Sequence, residues 1–299
     1  MSPLAFRCTN VSKQFKTVLA NDNINLEVET NQIFGIIGSN GSGKTTLLNQ
    51  LQGLDTPTSG TISVLGLNPR TDRKALMNRI GTQLQQAALI PRLTVKETLE
   101  TYGSFYPKTK SIEEVLASVG LSEKLNERVD KLSGGQKQRV FIALALIHDP
   151  ELLFFDELTS ALDPKTRLAI WDILKQLKKS GRSIILTTHL MEEAQALCDR
   201  IAILDHGRIV ALDTTENLIA QYAGATTLKA VLDTAEGVDK LQELPNIASV
   251  LFDGTHLTVT GTGDFAPAVL AQLHNPKHIE ISTASLEDVF LNLTDDQRK

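Results

Sequence analysis

The glycine-rich segment GSNGSGKTT, residues 38–46, constrains the fold of this chain more than any other feature. It matches the pattern G-x-x-x-x-G-K-[ST], whose glycines let successive backbone N–H groups turn toward phosphate oxygens. The apolar run FGIIG precedes it as a buried strand does, and KTTLLNQLQGL follows with apolar residues at helical spacing. A glycine-rich turn without function is the alternative, but the flanking strand and helix favour a phosphate-binding loop in an α/β fold.

The side chains of this loop indicate its chemistry. Lys44 is expected to reach the β- and γ-phosphates of a nucleotide, and Thr45 to give its hydroxyl to Mg²⁺. The N-terminal end of the following helix adds free N–H donors and a favourable dipole. The predicted nucleotide-binding residues of the loop are Gly38, Ser39, Asn40, Gly41, Ser42, Gly43, Lys44, Thr45 and Thr46.

A second motif, LLFFDE, supplies acidic groups. Its apolar residues predict a buried strand, so Asp156 emerges at the carboxyl end, where ligands bind in parallel sheets. There it is expected to hold Mg²⁺, directly or through water, while Glu157 polarises the attacking water. Strand ends often carry acids, so the motif alone is weak. Together with the phosphate-binding loop it predicts nucleotide hydrolysis.

A third motif, LSGGQKQRV, places Ser133 and two glycines at the start of a predicted helix. This arrangement makes a second anion-binding helix end. A nucleotide held by one phosphate-binding loop does not require a second anion-binding site in the same chain. The pair makes sense if Ser133 and Gly135 face the γ-phosphate of a nucleotide bound to another copy of the chain.

With these motifs in order, residues 4–215 resemble the ATP-binding cassette (ABC) family. LSGGQ resembles its signature, GSNGSGKTT its phosphate loop, and LLFFDELTSALDP its metal-binding strand and D-loop. The resemblance implies a P-loop cassette of α/β class, with a mixed sheet and a helical signature subdomain, that binds ATP and Mg²⁺ and hydrolyses ATP. It also implies a homodimer that sandwiches ATP, in which the second copy contributes Ser133, Gly134, Gly135 and Gln136.

The resemblance assigns three further roles. Phe15 falls where an aromatic ring stacks on adenine, the alternative being an aromatic residue that packs on an edge strand. Gln85 falls at the glutamine that senses Mg²⁺ and the attacking water, with Gln83 and Gln86 as neighbouring alternatives. His189 matches the histidine that contacts the γ-phosphate, the alternative being a structural histidine.

Two positions depart from the family pattern. The family usually has proline where this chain has Leu158, and glycine where it has Ala161. Neither change removes a chemical group, so we expect activity to persist with an altered rate.

The strand and helix pattern changes after about residue 215. Before it, strands alternate with helices, which implies parallel strands with crossover helices. After it, the order is β-α-β-β-α-β with a terminal helix, the order of a ferredoxin-like unit. We therefore predict an ABC ATP-binding domain over residues 1–222 and a C-terminal accessory or regulatory α+β domain over residues 223–299.

Composition excludes some functions. The chain has 30 Lys and Arg against 35 Asp and Glu, and this net charge of −5 argues against a nucleic-acid partner. Cys8 and Cys198 do not suggest a disulfide framework and are expected to be buried, inert thiols. The longest apolar run, VFIALALI, is far shorter than the roughly 20 residues of a membrane span. Any membrane role must therefore come through a partner.

Within the family, the resemblance favours a transporter ATPase. The sequence between Lys44 and Leu132 has no sustained heptads, unlike the coiled-coil members, and the chain has one cassette, unlike most translation-associated members. AALIPRLTVKETLETYGSF resembles the region that grips a coupling helix of a membrane permease, although an amphipathic helix packed on the domain is the alternative. SLEDVFLNLT resembles the end of subunits that serve bacterial export permeases.

This subclass implies an integral membrane permease on a separate chain. It also implies a cytoplasmic protein held peripherally at the inner face of the plasma membrane through that permease. The alternative from another class is a soluble ABC ATPase without a permease, whose C-terminal domain senses a ligand.

Overall fold

The computed structural model of the chain describes residues 3–83, 88–222, 226–282 and 285–295. Its packing divides the chain into two compact units, Met1–Leu212 and Asp213–Lys299. The strands of the first unit are β1 (Leu4–Phe15), β2 (Val18–Glu29), β3 (Ile33–Ile37), β4 (Ser59–Val64), β5 (Ile80–Gln83), β6 (Leu152–Asp156), β7 (Ser183–Thr188), β8 (Arg200–Asp205) and β9 (Arg208–Asp213). Its helices are α1 (Lys44–Leu51), α2 (Arg73–Met77), α3 (Val95–Gly103), α4 (Ile112–Ser118), α5 (Gly134–Leu146), α6 (Pro164–Lys179) and α7 (Met191–Leu197).

The larger sheet of the first unit has the strand order β5-β6-β7-β3-β8-β9. The strands from β5 to β8 in this order pair in parallel, and β3, β6 and β7 are buried along their whole length. Burial on both faces explains why these strands appear as unbroken apolar runs. β9 follows β8 through His206 and Gly207, whose φ angles of 44° and 79° suit a two-residue hairpin turn.

A smaller antiparallel sheet has the order β2-β1-β4. Helix α1 contacts β2 and β4 of this sheet and β6 and β7 of the larger sheet. One hydrophobic core of the first unit therefore combines both sheets with α1, and it includes Phe6, Phe34, Leu47, Leu48 and Phe154.

Helices α3, α4 and α5 contact one another and form the helical part of the first unit. The run VFIALALI, which is too short for a membrane span, lies mostly in α5, where Val140, Ile142 and Ala143 are buried, so it is part of a core helix. Within the described ranges, no helix is both long and apolar enough to cross a membrane.

Cys8 and Cys198 are both buried and are not joined in a disulfide, as predicted. Burial raises the pKa of Cys8 to about 12 and raises the pKa of Cys198 well above its ordinary value. Cys198 packs on β3, since a Cβ on Gly35 would lie 2.7 Å from its Sγ. The thiolate, the reactive form, is therefore disfavoured at both positions.

The second unit contains α8 (Thr215–Tyr222), β10 (Thr226–Val231), α9 (Val238–Leu241), β11 (Ile247–Phe252), β12 (His256–Gly261), α10 (Ala266–Gln272), β13 (Lys277–Ser282) and α11 (Leu286–Asp295). Its strands form an antiparallel sheet in the order β11-β12-β10-β13. A separate core packs Leu228 and Val259 of the sheet with Leu241 of α9 and Val269 of α10.

The apolar spacing of AEGVDKLQEL predicts a helix over this whole segment, but α9 covers only part of it, because Gly237 adopts a left-handed φ of 87° and the helix begins only after it. The packing divides the chain after Leu212, since α8 contacts α11. The predicted boundary at residues 222–225 lies mostly outside the described residues, and the roles predicted for the two domains remain predictions.

Candidate nucleotide site

The glycine-rich loop connects β3 to α1, in the strand-loop-helix context that its sequence predicts. Gly43, the N-cap of α1, has a left-handed φ of 104°, and a Cβ there would lie 2.2 Å from the Ala20 carbonyl oxygen. A Cβ on Gly38 would lie 2.3 Å from the Leu204 carbonyl oxygen. Glycine is therefore required at both positions by close backbone packing, and at Gly43 also by the backbone conformation.

The remaining residues of the loop fall into an exposed tip and a buried base. Ser39, Asn40 and Gly41 are exposed, and Ser42 is buried, with its backbone N–H donating to the Ser39 carbonyl oxygen at 3.2 Å. Thr46 is half-buried in the first turn of α1. The exposed backbone thus lies where a phosphate group can approach it.

Lys44 is buried under the loop. Its Nζ donates hydrogen bonds of 2.9 Å to the carbonyl oxygens of Gly38 and Ser39. Burial lowers the pKa of its ammonium group, against the opposing effect of the carboxylates of Glu157 and Asp156. The lysine is therefore a poorly solvated cation at the base of a loop shaped for an anion.

Asp156 lies at the carboxyl end of β6, as predicted, and it is buried. Its Oδ1 accepts a hydrogen bond of 3.4 Å from Thr45 Oγ1 and another from Thr187 Oγ1. The parallel pairing of β6 with β7, and of β7 with β3, brings these three groups to the same sheet edge.

The donor set around Asp156 fits Mg²⁺. A hydroxyl and a carboxylate are hard oxygen ligands of the kind that Mg²⁺ prefers. In the described part of the chain, no cluster of three or more His, Cys, Asp or Glu side chains is suited to a metal ion. A cation held by Thr45 and Asp156 would have coordination positions left for phosphate and water oxygens, as Mg²⁺ with a nucleotide does.

Glu157 and His189 form a pair at the same edge. Glu157 Oε1 lies 3.4 Å from His189 Nδ1, and the two side chains are 13% and 37% exposed. The backbone of Glu157 has a φ of 50°, a conformation that L-residues seldom adopt and that the surroundings must hold. Its N–H donates to the Thr187 carbonyl oxygen at 3.1 Å, which ties the turn to β7.

The two departures from the family pattern lie next to Glu157. Leu158 is 2% exposed and therefore serves as a core residue, whereas Ala161 is exposed. Neither side chain brings a polar group to the site.

A cleft of about 370 Å³ opens beside the loop. Its lining includes several predicted residues and several that sequence reasoning missed. The predicted ones are Asn40, Gly41, Gly43, Lys44, Thr45, Thr46 and Glu157. The missed ones are Val18, Leu19 and Ala20 of β2 and His206 of the β8–β9 turn.

Two of these residues of β2 are large and apolar and yet exposed: the side chains of Val18 and Leu19 are 62% and 44% exposed. Phe15, at the end of β1 in the same hairpin, is also exposed but does not line the cleft. Lys13 Nζ lies 4.7 Å from the centroid of its ring. An exposed apolar hairpin beside a phosphate loop suits a flat, partly apolar group such as a nucleotide base.

Asn21 is a further residue that no motif indicates. It is buried, its Nδ2 donates to the Gly43 carbonyl oxygen at 3.2 Å, and its Oδ1 accepts from Gln50 Nε2 at 2.7 Å. It therefore ties β2 to the end of the loop and to the last turn of α1.

The signature segment lies outside the residues that line the cleft. Ser133 is the N-cap of α5 and forms a reciprocal capping box with Gln136, whose backbone N–H donates to Ser133 Oγ at 3.3 Å. Ser133 and Gly134 are exposed, while a Cβ on Gly135 would lie 2.3 Å from Thr166 Cγ2. The segment presents a helix N-terminus to the exterior.

The predicted Gln85 lies outside the described residues, as does its alternative Gln86. The other alternative, Gln83, is buried at the end of β5.

Comparison with known proteins identifies the family. The model of the ABC transporter family matches residues 21–160. Nod factor export ATP-binding protein I of Rhizobium johnstonii is 35% identical over 300 residues, covering 98% of this chain and 96% of that protein. The chain belongs to the ABC transporter family of ATP-binding proteins. It is an ABC ATPase with a P-loop cassette fold of mixed sheet and helices.

Two further relatives agree with this. Linearmycin resistance ATP-binding protein LnrL of Bacillus subtilis is 32% identical over 303 residues, covering 95% of this chain and 96% of that protein. The solved dimeric structure of MJ0796, a bacterial ABC transporter cassette, is 32% identical with a TM-score of 0.62. The match covers 70% of this ABC ATPase and 98% of the MJ0796 chain. MJ0796 has also been solved as a dimer in a post-hydrolysis state with ADP and Pi.

Proposed function

We propose that this ABC ATPase hydrolyses Mg-ATP as a head-to-tail homodimer that drives an export permease on a separate chain. The observation that carries the proposal is the pair of Glu157 and His189 at the sheet edge where Lys44, Thr45 and Asp156 meet. This arrangement supplies a phosphate-binding cation, oxygen ligands for a metal, and a carboxyl group beside the expected γ-phosphate.

In the proposed reaction, the N–H groups of residues 38–46 and Lys44 hold the phosphates. Lys44 exchanges its two carbonyl acceptors for phosphate oxygens, a gain for a poorly solvated ammonium group. Thr45 and Asp156 would hold Mg²⁺, which when bound neutralises charge on the phosphate oxygens. Glu157 orients the attacking water, and His189 contacts the γ-phosphate from the neighbouring strand end.

The base of the nucleotide lies on the exposed hairpin in this proposal. Phe15, Val18 and Leu19 offer apolar and aromatic surface beside the loop. We propose that Phe15 stacks on adenine with the ring face that Lys13 leaves open.

The signature segment completes the site from a second copy. Ser133 and Gly134 are exposed at the N-terminus of α5 and do not line the cleft of their own chain. A free helix N-terminus favours an anion. We assign Ser133, Gly134, Gly135 and Gln136 to the γ-phosphate bound by the partner copy. The dimeric state of the MJ0796 cassette supports a pairing of two copies.

A separate groove is suited to bind a segment of the permease. It has a volume of about 280 Å³ and is lined largely by apolar side chains, among them Leu89, Pro91, Val129 and Phe141. Phe105, just after α3, is 75% exposed. We propose that a cytoplasmic helix of the permease docks here and holds the protein at the inner face of the plasma membrane. A membrane chain that co-purifies with the tagged protein is the partner this proposal requires, and its absence favours a soluble ATPase.

The names of the relatives, Nod factor export and linearmycin resistance, support export as the direction of transport.

We further propose that the second unit is a ferredoxin-like accessory or regulatory domain. Its β-α-β-β-α-β order and its sheet order β11-β12-β10-β13 support that assignment.

Replacement of Glu157 tests the catalytic part of the proposal. We expect Glu157→Gln to lower kcat on the order of 100-fold or more, because the amide cannot act as a base toward water. ATP binding, measured by titration with a fluorescent ATP analogue, should be unchanged because residues 38–46 are intact. The control is Glu192→Gln on α7, whose side chain is 76% exposed. Normal turnover in Glu157→Gln rules out the role given to Glu157.

A further inference from the structure

Glu193 is a buried acidic residue that lies outside the cleft. It belongs to α7 and is 0% exposed. Its Oε1 accepts hydrogen bonds from Thr159 Oγ1 at 2.6 Å and from Trp171 Nε1 at 3.1 Å. Burial of a carboxyl group is costly unless it is hydrogen-bonded, so a buried group with two side-chain donors is a specific structural feature.

These hydrogen bonds connect the two segments that carry the catalytic pair. Thr159 lies two residues after Glu157, in the turn from β6 to α6, and it is also 0% exposed. Glu193 lies four residues after His189, in the first turns of α7. A single carboxyl oxygen therefore joins the turn that carries Glu157 to the helix that follows His189.

The turn at Glu157 depends on such contacts. The left-handed backbone of Glu157 is unfavourable for an L-residue and persists only where the surroundings hold it. One restraint is the N–H of Glu157 on the Thr187 carbonyl oxygen of β7. The Thr159–Glu193 hydrogen bond is a second restraint, on the other side of Leu158.

We propose that Glu193 is a positioning residue for ATP hydrolysis. Through Thr159 it fixes the turn that carries Glu157 against α7 and so sets the 3.4 Å separation of Glu157 Oε1 and His189 Nδ1. The inference rests on the catalytic role proposed for Glu157. It predicts an effect on hydrolysis and not on nucleotide binding, because Glu193 does not line the cleft.

Thr159→Val tests the inference, since valine keeps the shape of threonine and removes the hydroxyl donor. We expect kcat to fall about tenfold, because a small displacement of a catalytic group has effects of this size or larger. The KM for ATP should change less than about twofold. The matched control is Thr98→Val in α3, which removes an equally buried hydroxyl bonded to the Thr94 carbonyl oxygen at 2.8 Å. Its kcat should be that of the wild type.

Variants of Glu193 separate positioning from bulk packing. Glu193→Gln keeps an acceptor oxygen for Thr159 and Trp171 and should retain most of the kcat, whereas Glu193→Ala should lose at least as much as Thr159→Val. If Thr159→Val does not fold, kcat and KM are measured instead in Trp171→Phe, which removes the other hydrogen-bond donor to Glu193. Wild-type kcat in both Thr159→Val and Glu193→Ala overturns the inference.

The double variant Glu157→Gln/Thr159→Val distinguishes this inference from the proposed function. If Glu193 acts through Glu157, Thr159→Val should cause no further loss in the Glu157→Gln background. An equal fold-loss in both backgrounds overturns the positioning role while leaving the role of Glu157 intact. Normal turnover in Glu157→Gln alone overturns the proposed function instead.

Discussion

At the scale of single residues, the two glycines of the signature segment have different surroundings. A Cβ on Gly135 would lie 2.3 Å from Thr166 Cγ2, whereas a Cβ on Gly134 would meet no atom within 4 Å. We expect Gly135→Ala to lower the free energy of unfolding by about 1–3 kcal/mol, because Thr166 must move. Gly134→Ala should leave it unchanged within about 0.5 kcal/mol. Urea denaturation measures both, and equal stabilities contradict this packing of α5 on α6.

Some residues of the site are predictable from sequence and others are not. Asp156 ends an apolar strand and Thr45 follows the glycine-rich loop, and both segments have a recognisable sequence pattern. Parallel pairing of the strands brings such strand ends together. Val18, Leu19 and Asn21 lie in a hairpin without a motif. Their place beside the loop depends on how β2 packs against α1, which is a tertiary contact that no local pattern encodes.

At the scale of elements, predictability follows burial. Strands β3, β6 and β7 are buried on both faces and are evident as apolar runs. The smaller sheet of β1, β2 and β4 was not predicted. The alternation of buried and exposed residues is interrupted in β1, although it is regular in the second half of β2. The helix predicted around α9 was too long, because apolar spacing continues across Gly237 while the backbone does not.

The ion pair between Arg79 and Glu151 links the starts of β5 and β6. Glu151 Oε1 accepts from Arg79 Nε at 2.6 Å and Oε2 from Arg79 Nη2 at 2.9 Å. The hydrogen bonds from Arg79 hold the pKa of Glu151 below its ordinary value of 4.5. A carboxyl with a depressed folded-state pKa stabilises the fold fully above its unfolded-state pKa, and this contribution is lost as pH falls through the folded-state pKa.

We therefore expect Glu151→Gln to lower the Tm slightly at pH 7, by the equivalent of less than about 1 kcal/mol, because the pair is largely exposed. The difference from the wild type should shrink as pH is lowered to about 3 and as salt is raised. Thermal unfolding followed by circular dichroism measures it. A difference that is independent of pH contradicts the assignment of the effect to this ion pair.

At the scale of the whole molecule, the chain combines a cassette with a second compact unit. The solved cassette MJ0796 corresponds to 70% of the chain, whereas the Rhizobium export protein corresponds to 98% of it. The similarity to that export protein therefore extends through the second unit. The order of its strands and helices predicts a ferredoxin-like accessory domain, whereas no motif in that unit indicates the chemistry of a ligand.

The central claim is that each ATP site needs two copies of the chain. The most direct measurement is sedimentation velocity of Glu157→Gln with and without saturating ATP, alongside the double variant Glu157→Gln/Gly134→Arg. The arginine adds bulk at a position that is open in the single chain and lies, in the proposed dimer, against the partner's nucleotide. We predict that Glu157→Gln is a monomer without ATP and a dimer with it, and that the double variant binds ATP but remains a monomer. An ATP-bound Glu157→Gln protein that stays monomeric, or a double variant that still dimerises, contradicts the claim.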